Sequence, residues 1–170
     1  MRIGAIGIDS SHLPEFTKRI KGLHAEGRTA CHVTHFWDPG RHEWQHPEGD
    51  ARSRQDVEGW RRTTLELGVK QVETLENLLK EVDGVMVLNI NGHRHLELAA
   101  GPIVRGMPTY SDKPLTCSLD QATALLGMTR QYRARCYSDG SLRFSAESSA
   151  RDREKLGEIV AIDAFGNGEV

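Results

Sequence analysis

Short apolar runs alternate along this chain with longer stretches whose apolar residues recur every three or four positions. The first period predicts strands and the second helices. Residues 2–8 read as a buried strand. Residues 11–22 read as a helix, with Phe16 and Ile20 four apart on one face. Residues 30–37 form a second strand, stopped by the turn chemistry of Asp38, Pro39 and Gly40. A polar loop over residues 40–50 leads to a helix over 53–67, weakened by Gly59, and a short strand over 69–72. Thr74 opens a helix to Val82 with Leu75, Leu78 and Leu79 on one stripe. The unbroken apolar run at 85–88 marks a strand buried on both faces.

Asn91 N-caps the next predicted helix, over 92–105, and Gly106 ends it. A strand over 108–111 follows, then a helix from the capping box at Ser118 and Gln121 to Tyr132, then a strand over 135–138. Six strands joined by helices predict an α/β fold, a doubly wound, Rossmann-type parallel sheet in the order 3-2-1-4-5-6. Its ligand crevice lies at the carboxyl ends of strands 1 and 4, at Gly7 to Asp9 and Asn89 to Asn91. Beyond it, residues 151–156 start a helix and 159–165 a strand. A strand with no partner is not stable alone, so it joins the main sheet, pairs with another chain or opens a further domain.

The chain has 170 residues, room for one domain and a piece of another. Its net charge of −2 argues against a nucleic-acid partner. No run approaches the ~18 apolar residues of a membrane span, and residues 1–8 meet Asp9 too soon for a signal-peptide core. Cys31, Cys117 and Cys136 lie far apart, as expected for reduced thiols in a cytoplasmic protein.

The turn after the first strand is the natural place for a phosphate. A dinucleotide fingerprint reads G-x-G-x-x-G there, and this chain reads Gly7-Ile8-Asp9-Ser10-Ser11-His12. Only the first glycine remains, and Asp9 puts a carboxylate where a pyrophosphate would sit. Ser10 and Ser11 either offer hydroxyls to an anion or cap the helix. Asp38 at the end of strand 2 can accept ribose hydroxyls or close a turn. Asp112-Lys113-Pro114 follows a strand at the mouth of the crevice, where a Lys can polarise a substrate hydroxyl. Among eight histidines, His95 is a site-lining candidate at a helix entrance. His32 and His35 point to opposite strand faces, and no spacing among Cys31, His32, His35, His42 and His46 matches a zinc pattern, so no metal is expected. A metal-dependent enzyme built on Asp9 and His12 is the weakest alternative. Phe36, Trp37, Trp44 and Trp60 read as packing, and Ser145, Ser148 and Ser149 lack a nucleophile-elbow context.

In order and spacing, these motifs resemble the N-terminal domain of the Gfo/Idh/MocA oxidoreductases. The likeness rests on Ile3 to His12, Val82 to Val87, Asn91 to His95, Gly106-Met107-Pro108, Asp112-Lys113-Pro114-Leu115, Arg143-Phe144 and Gly157-Glu158-Ile159. It is nearest to a branch with a D-[ST]-S-H turn in place of the glycine-rich loop. The resemblance implies an NAD(P)-binding domain over 1–145, then a connecting segment and the start of a truncated second domain over 146–170. It implies an oxidoreductase passing hydride to or from a sugar- or polyol-like alcohol or ketone. Lys113 and His95 would be catalytic. Gly7, Asp9, Ser10, Ser11, His12, Asp38, Asn89, Asn91, Asp112, Lys113 and Pro114 would bind NAD or NADP. The rival expectation is a non-catalytic module that holds a nucleotide or small anion and works with a partner chain, in a homo-oligomer or with another subunit.

Overall fold

The computed structural model describes residues 1–40 and 51–140, with side chains from residue 56 onward in the second stretch. The elements run β1 (Arg2–Ile6), α1 (His12–Ala25), β2 (His32–Trp37), α2 (Ala51–Glu66), β3 (Lys70–Val72) and α3 (Leu75–Glu81). They continue with β4 (Gly84–Val87), a 3-10 turn (Gly92–Arg94), α4 (His95–Val104), β5 (Thr109–Ser111), α5 (Leu119–Gln131) and β6 (Cys136–Tyr137). The six strands form one sheet in the order β3-β2-β1-β4-β5-β6, parallel throughout. This is the predicted doubly wound order, with its switch point between β1 and β4.

Alternation along the central strands divides the core into two layers. Ile6, Val85 and Val87 face Leu78, Leu79 and Val82 of the α3 region, Leu98, Ala99 and Ile103 of α4, and Leu125 of α5. Ile3, Ala5, Met86 and Leu88 face the other way, with Leu13 of α1, Phe36 of β2 and Val57 of α2. Each fully buried side chain of this size contributes about 1.5–3 kcal/mol. The sheet therefore has its two central strands covered on both faces, which is why the run at 85–88 is apolar without a break.

Side chains cap the helices that the sequence marked. Thr74 accepts from the Asn77 amide at 3.1 Å, and Ser118 accepts from the Gln121 amide at 3.1 Å. Asn91 also caps, accepting from the His93 amide at 3.0 Å, but it opens the 3-10 turn and α4 begins only at His95. β1 stops at Ile6 rather than Ile8, because Gly7 takes φ +98° and leaves the sheet direction. Gly59 does not interrupt α2. The expected polar loop, the helix start at 151–156, the strand at 159–165, and the Arg143-Phe144 and Gly157-Glu158-Ile159 motifs lie outside the described residues apart from Gly40. Among the described residues, no helix is long and apolar enough to cross a membrane.

At the amino ends of β1 and β4, Arg2 and Asp83 form a closed pair. The Arg2 amide donates to Asp83 Oδ2 at 2.7 Å, the Arg2 guanidinium donates to Oδ1 at 2.7 Å, and the Asp83 amide returns a bond to the Arg2 carbonyl at 2.8 Å. The side-chain and then the backbone bond from Arg2 hold the Asp83 carboxyl down at about 2. A carboxylate depressed in the folded state adds stability above its unfolded pKa and loses it as the pH falls through the folded value. The stability gap between wild type and Asp83→Asn is expected to be full above about pH 4 and to close toward about pH 2. Urea midpoints across that range measure it, and a gap independent of pH would contradict the pairing.

Candidate functional site

The carboxyl ends of β1, β2, β4 and β5 meet at one place, and backbone and side-chain bonds fix them there. The Leu88 amide donates to the Ile6 carbonyl at 2.8 Å, the Gly7 amide to Trp37 at 3.0 Å, and the Asp112 amide to Val87 at 2.9 Å. Ser10 Oγ, buried, reaches the Leu88 carbonyl at 3.5 Å and accepts from the His12 amide at 3.3 Å. Ser10 is thus the residue that organises the start of α1. Ser11 is exposed and makes no capping bond with its side chain.

Gly7 is the surviving fingerprint glycine, and its backbone shows why. A Cβ there would sit 2.7 Å from the Asn89 nitrogen, on a φ that L side chains rarely adopt. Asp9, at the second glycine position, is 2% exposed. Its carboxylate accepts from Asn89 Nδ2 at 2.7 Å and from the Ile90 amide at 3.2 Å. Asn89 Oδ1 in turn accepts from the Asn91 amide at 3.1 Å. The sequence-predicted Gly7, Asp9, Asn89 and Asn91 therefore form one connected turn pair across the switch point.

His12, at the third glycine position, turns its Nδ1 onto Asp112 Oδ2 and stacks its ring on Phe16, centroids 5.3 Å apart. Asp112 also accepts from the Tyr110 hydroxyl at 3.3 Å. Burial, and then the charge and hydrogen bond of Asp112, push the Tyr110 hydroxyl up to about 12, so it stays a donor at neutral pH. Sequence position marks His12 and Asp112 separately, but neither Tyr110 nor the pairing. The spacing of Tyr110 and Asp112 held the signal, since residues two apart on a strand share a face.

The peptide from Lys113 to Pro114 is cis, and both residues are exposed. Gly92 lies beneath them, where a Cβ would come within 2.8 Å of Pro114 Cγ and of Cys117 Sγ. His95 is fully buried, with Nδ1 2.8 Å from the Pro114 carbonyl and Nε2 2.6 Å from the Asn89 carbonyl. Both neighbours are acceptors, so a ring protonated at both nitrogens satisfies both and a neutral ring only one. His95 thus spans the Asn89 turn and the Lys113–Pro114 turn from beneath and presents no free nitrogen to the crevice.

Asp38 stands away from this group at the end of β2. It accepts from the Gly40 amide at 2.9 Å and from the Arg61 guanidinium at 2.7 Å. Burial works against the Arg61 charge, but its bonds to Asp38 and Glu58 prevail and hold it more firmly protonated than usual. Nothing in the sequence pointed to Arg61 as the partner of Asp38. Among the described residues, no three His, Cys, Asp or Glu side chains cluster as metal ligands. Cys31, Cys117 and Cys136 are free thiols.

No protein-family model matches the chain, and no curated protein matches it. Solved structures do. The chain is similar to UDP-N-acetylglucosamine 3-dehydrogenase GnnA from Acidithiobacillus ferrooxidans at 20% identity and TM-score 0.63, over 92% of this chain and 43% of that one. It is similar to an NAD-binding oxidoreductase from Klebsiella pneumoniae at 18% identity and TM-score 0.64, over 87% of this chain and 36% of that one. A 3-ketoreductase from Actinomadura kijaniata, crystallised with TDP-benzene and NADP, is 21% identical with TM-score 0.55, over 82% of this chain and 37% of that one. These likenesses establish the fold, and the chain spans less than half the length of each.

The Gly7 turn yields a direct expectation. Gly7→Ala must displace the Asn89 backbone and is expected to cost about 1–3 kcal/mol. Gly27→Ala, at φ +69° with nothing within 4 Å of its Cβ, is expected to cost only about 1 kcal/mol. Urea midpoints of the two variants measure the difference, and equal costs would refute the close approach at the switch point.

Proposed function

We propose that this chain is the dinucleotide-binding part of an NAD(P)-dependent oxidoreductase of Gfo/Idh/MocA type, acting on an alcohol or ketone of a sugar- or polyol-like substrate. The observation that carries the reading is the sheet order 3-2-1-4-5-6 with a glycine-only turn at its switch point, where such sheets bind dinucleotides. The solved oxidoreductases that share the fold support it, as do the ordered motifs of the sequence.

The residues fit the group on three counts. The first fingerprint glycine keeps its tight turn. The Ser11 side chain is exposed at the start of α1, where the helix dipole favours an anion. Asp9, the apparent obstacle, has its carboxylate committed to Asn89 and Ile90. The turn from Gly7 to Ser11 would hold the diphosphate, Asp38 the adenosine ribose, and His12, Asn89, Asn91 and the Asp112-Lys113-Pro114 turn the nicotinamide end. When bound, a nicotinamide supplies a hydride acceptor or donor. Lys113 would place its ammonium at the substrate oxygen and stabilise negative charge there. His95 would act as a positioning residue, holding the Lys113–Pro114 turn against Asn89.

The buried charge of Asp9 favours one other reading, a module of the same fold that binds a smaller anion and works with a partner chain. Calorimetric titration of the chain with NAD, NADH, NADP and NADPH separates the two. The proposal expects saturable binding of at least one of these with Kd of about 1–100 μM, or about −8 to −5.5 kcal/mol. No binding at millimolar concentration by a folded sample would defeat it. In an assembly that turns over, Lys113→Ala is expected to lower kcat by about a hundredfold and change the NADH Kd by less than about threefold. Unchanged kcat would remove Lys113 from the chemistry.

A further inference from the structure

We propose that His12 and Asp112 form a general acid–base dyad, in which His12 Nε2 exchanges a proton with a hydroxyl group of the molecule held in the crevice. The proposal rests on the oxidoreductase reading for the identity of that hydroxyl as the reacting alcohol of a sugar- or polyol-like substrate. It goes beyond that reading by assigning the proton to a residue of this chain.

The two nitrogens of His12 have different surroundings. Nδ1 faces Asp112, whose side chain is 6% exposed, and the distance leaves no room for anything between them. An ionised carboxylate only accepts, so the proton of a neutral His12 ring belongs on Nδ1. Nε2 then carries a lone pair, and among the described residues it has no hydrogen-bond partner. The His12 side chain is 31% exposed, so a ligand can reach it. A carboxylate on one nitrogen and an open lone pair on the other is the arrangement that sets an imidazole's tautomer for proton transfer.

The supporting contacts hold the dyad in place. Phe16, one turn along α1, stacks on the ring and limits its rotation. The one hydroxyl proton of Tyr110 is shared between the other oxygen of Asp112, at 3.3 Å, and the Asp139 carbonyl, at 3.4 Å. Because its pKa stands at about 12, Tyr110 remains a donor at neutral pH. Asp112 and its neighbour Lys113 come from the end of β5, and Glu15 lies on the exposed side of α1, while Asp9 is bonded to Asn89 and Ile90.

The step balances in atoms and charge. The O–H bond of the substrate hydroxyl breaks and its electron pair stays on oxygen. The proton forms a bond to Nε2, and the ring becomes an imidazolium whose Nδ1–H is shared with the Asp112 carboxylate. The alkoxide lies beside the ammonium of Lys113 in the proposed site. In the reverse direction, Nε2–H returns the proton to oxygen. Groups placed this way contribute typically about 10²–10⁴-fold to rate. A role confined to packing α1 onto β5 would need no particular tautomer.

The test uses the whole chain labelled with 15N-histidine, at about pH 8.5, where an ordinary imidazole is neutral. Nitrogen chemical shifts are expected to show His12 protonated on Nδ1 and bare at Nε2. Asp112→Asn, whose amide can donate to Nδ1, is expected to reverse that tautomer. Tyr110→Phe keeps the carboxylate and is expected to keep the Nδ1 proton, which guards against a disturbed fold in the first variant. Diethyl pyrocarbonate acylates a bare ring nitrogen, so peptide mass spectrometry is expected to find His12 modified about tenfold more slowly in Asp112→Asn. Saturating NADH is expected to slow modification of wild type by a similar factor. A wild-type ring protonated on Nε2, or one indifferent to Asp112→Asn, overturns the dyad. An unchanged modification rate with NADH bound overturns its placement against the crevice ligand. If calorimetry finds no NADH binding, the oxidoreductase reading fails separately, and the tautomer of the free chain still decides the dyad.

Discussion

The close approach of two chain turns at the switch point is the constraint on which the rest of the molecule depends. Gly7 passes so near Asn89 that a single added carbon would lie 2.7 Å from the Asn89 nitrogen. That proximity lets Ile6 accept from Leu88, Trp37 accept from Gly7, and Asp9 accept from Asn89 and Ile90. It therefore sets the level at which β1, β2 and β4 all end. α1 begins from the same turn, and its first residue, His12, reaches across to Asp112 at the end of β5. A wider turn would separate these groups, and the crevice would lose its polar floor.

The polar floor is costly to build and explains why its members come in sets. An unpartnered buried carboxylate would cost several kcal/mol or take up a proton. Asp9 and Asp112 are both nearly inaccessible, and each has at least two donors. Asn89 is itself tied down, its side-chain oxygen accepting from the Asn91 amide and its backbone carbonyl facing His95 Nε2. Loss of one member leaves a charge uncompensated, so substitutions within the set are expected to couple strongly rather than add. Rigidity of this kind suits a site that must hold a reactive group within a few tenths of an ångström.

Most of the fold was legible in the sequence because its elements are marked by independent signals. The apolar run at 85–88, the caps at Thr74 and Ser118, and the alternation of strands with helices all pointed to the same sheet. The misreadings sit where two conformations compete over a few residues. Ile8 is as apolar as a strand residue, yet it follows a glycine that turns the chain. Asn91 caps a 3-10 turn because Gly92 must fit beneath Pro114 and Cys117 before α4 can begin. The site was legible as a list and not as an arrangement. Gly7, Asp9, His12, Asn89 and Asp112 could be named from position, but His12 and Asp112 are 100 residues apart in sequence and nothing local announces that they touch. The enclosure of His95 and the partnership of Asp38 with Arg61 depend likewise on packing between distant segments.

On the proposed function, the carboxyl ends of β1, β2, β4 and β5 form the ligand face of a dinucleotide-binding domain. Backbone amide shifts of the 15N-labelled chain, followed as NADH is added, test it most directly. Saturable changes are expected at residues 7–13, at Asp38 and Gly40, and at 88–93 and 111–113. Changes centred on the opposite end of the sheet, around Arg2 and Asp83, or no change at millimolar NADH in a folded chain, would contradict it.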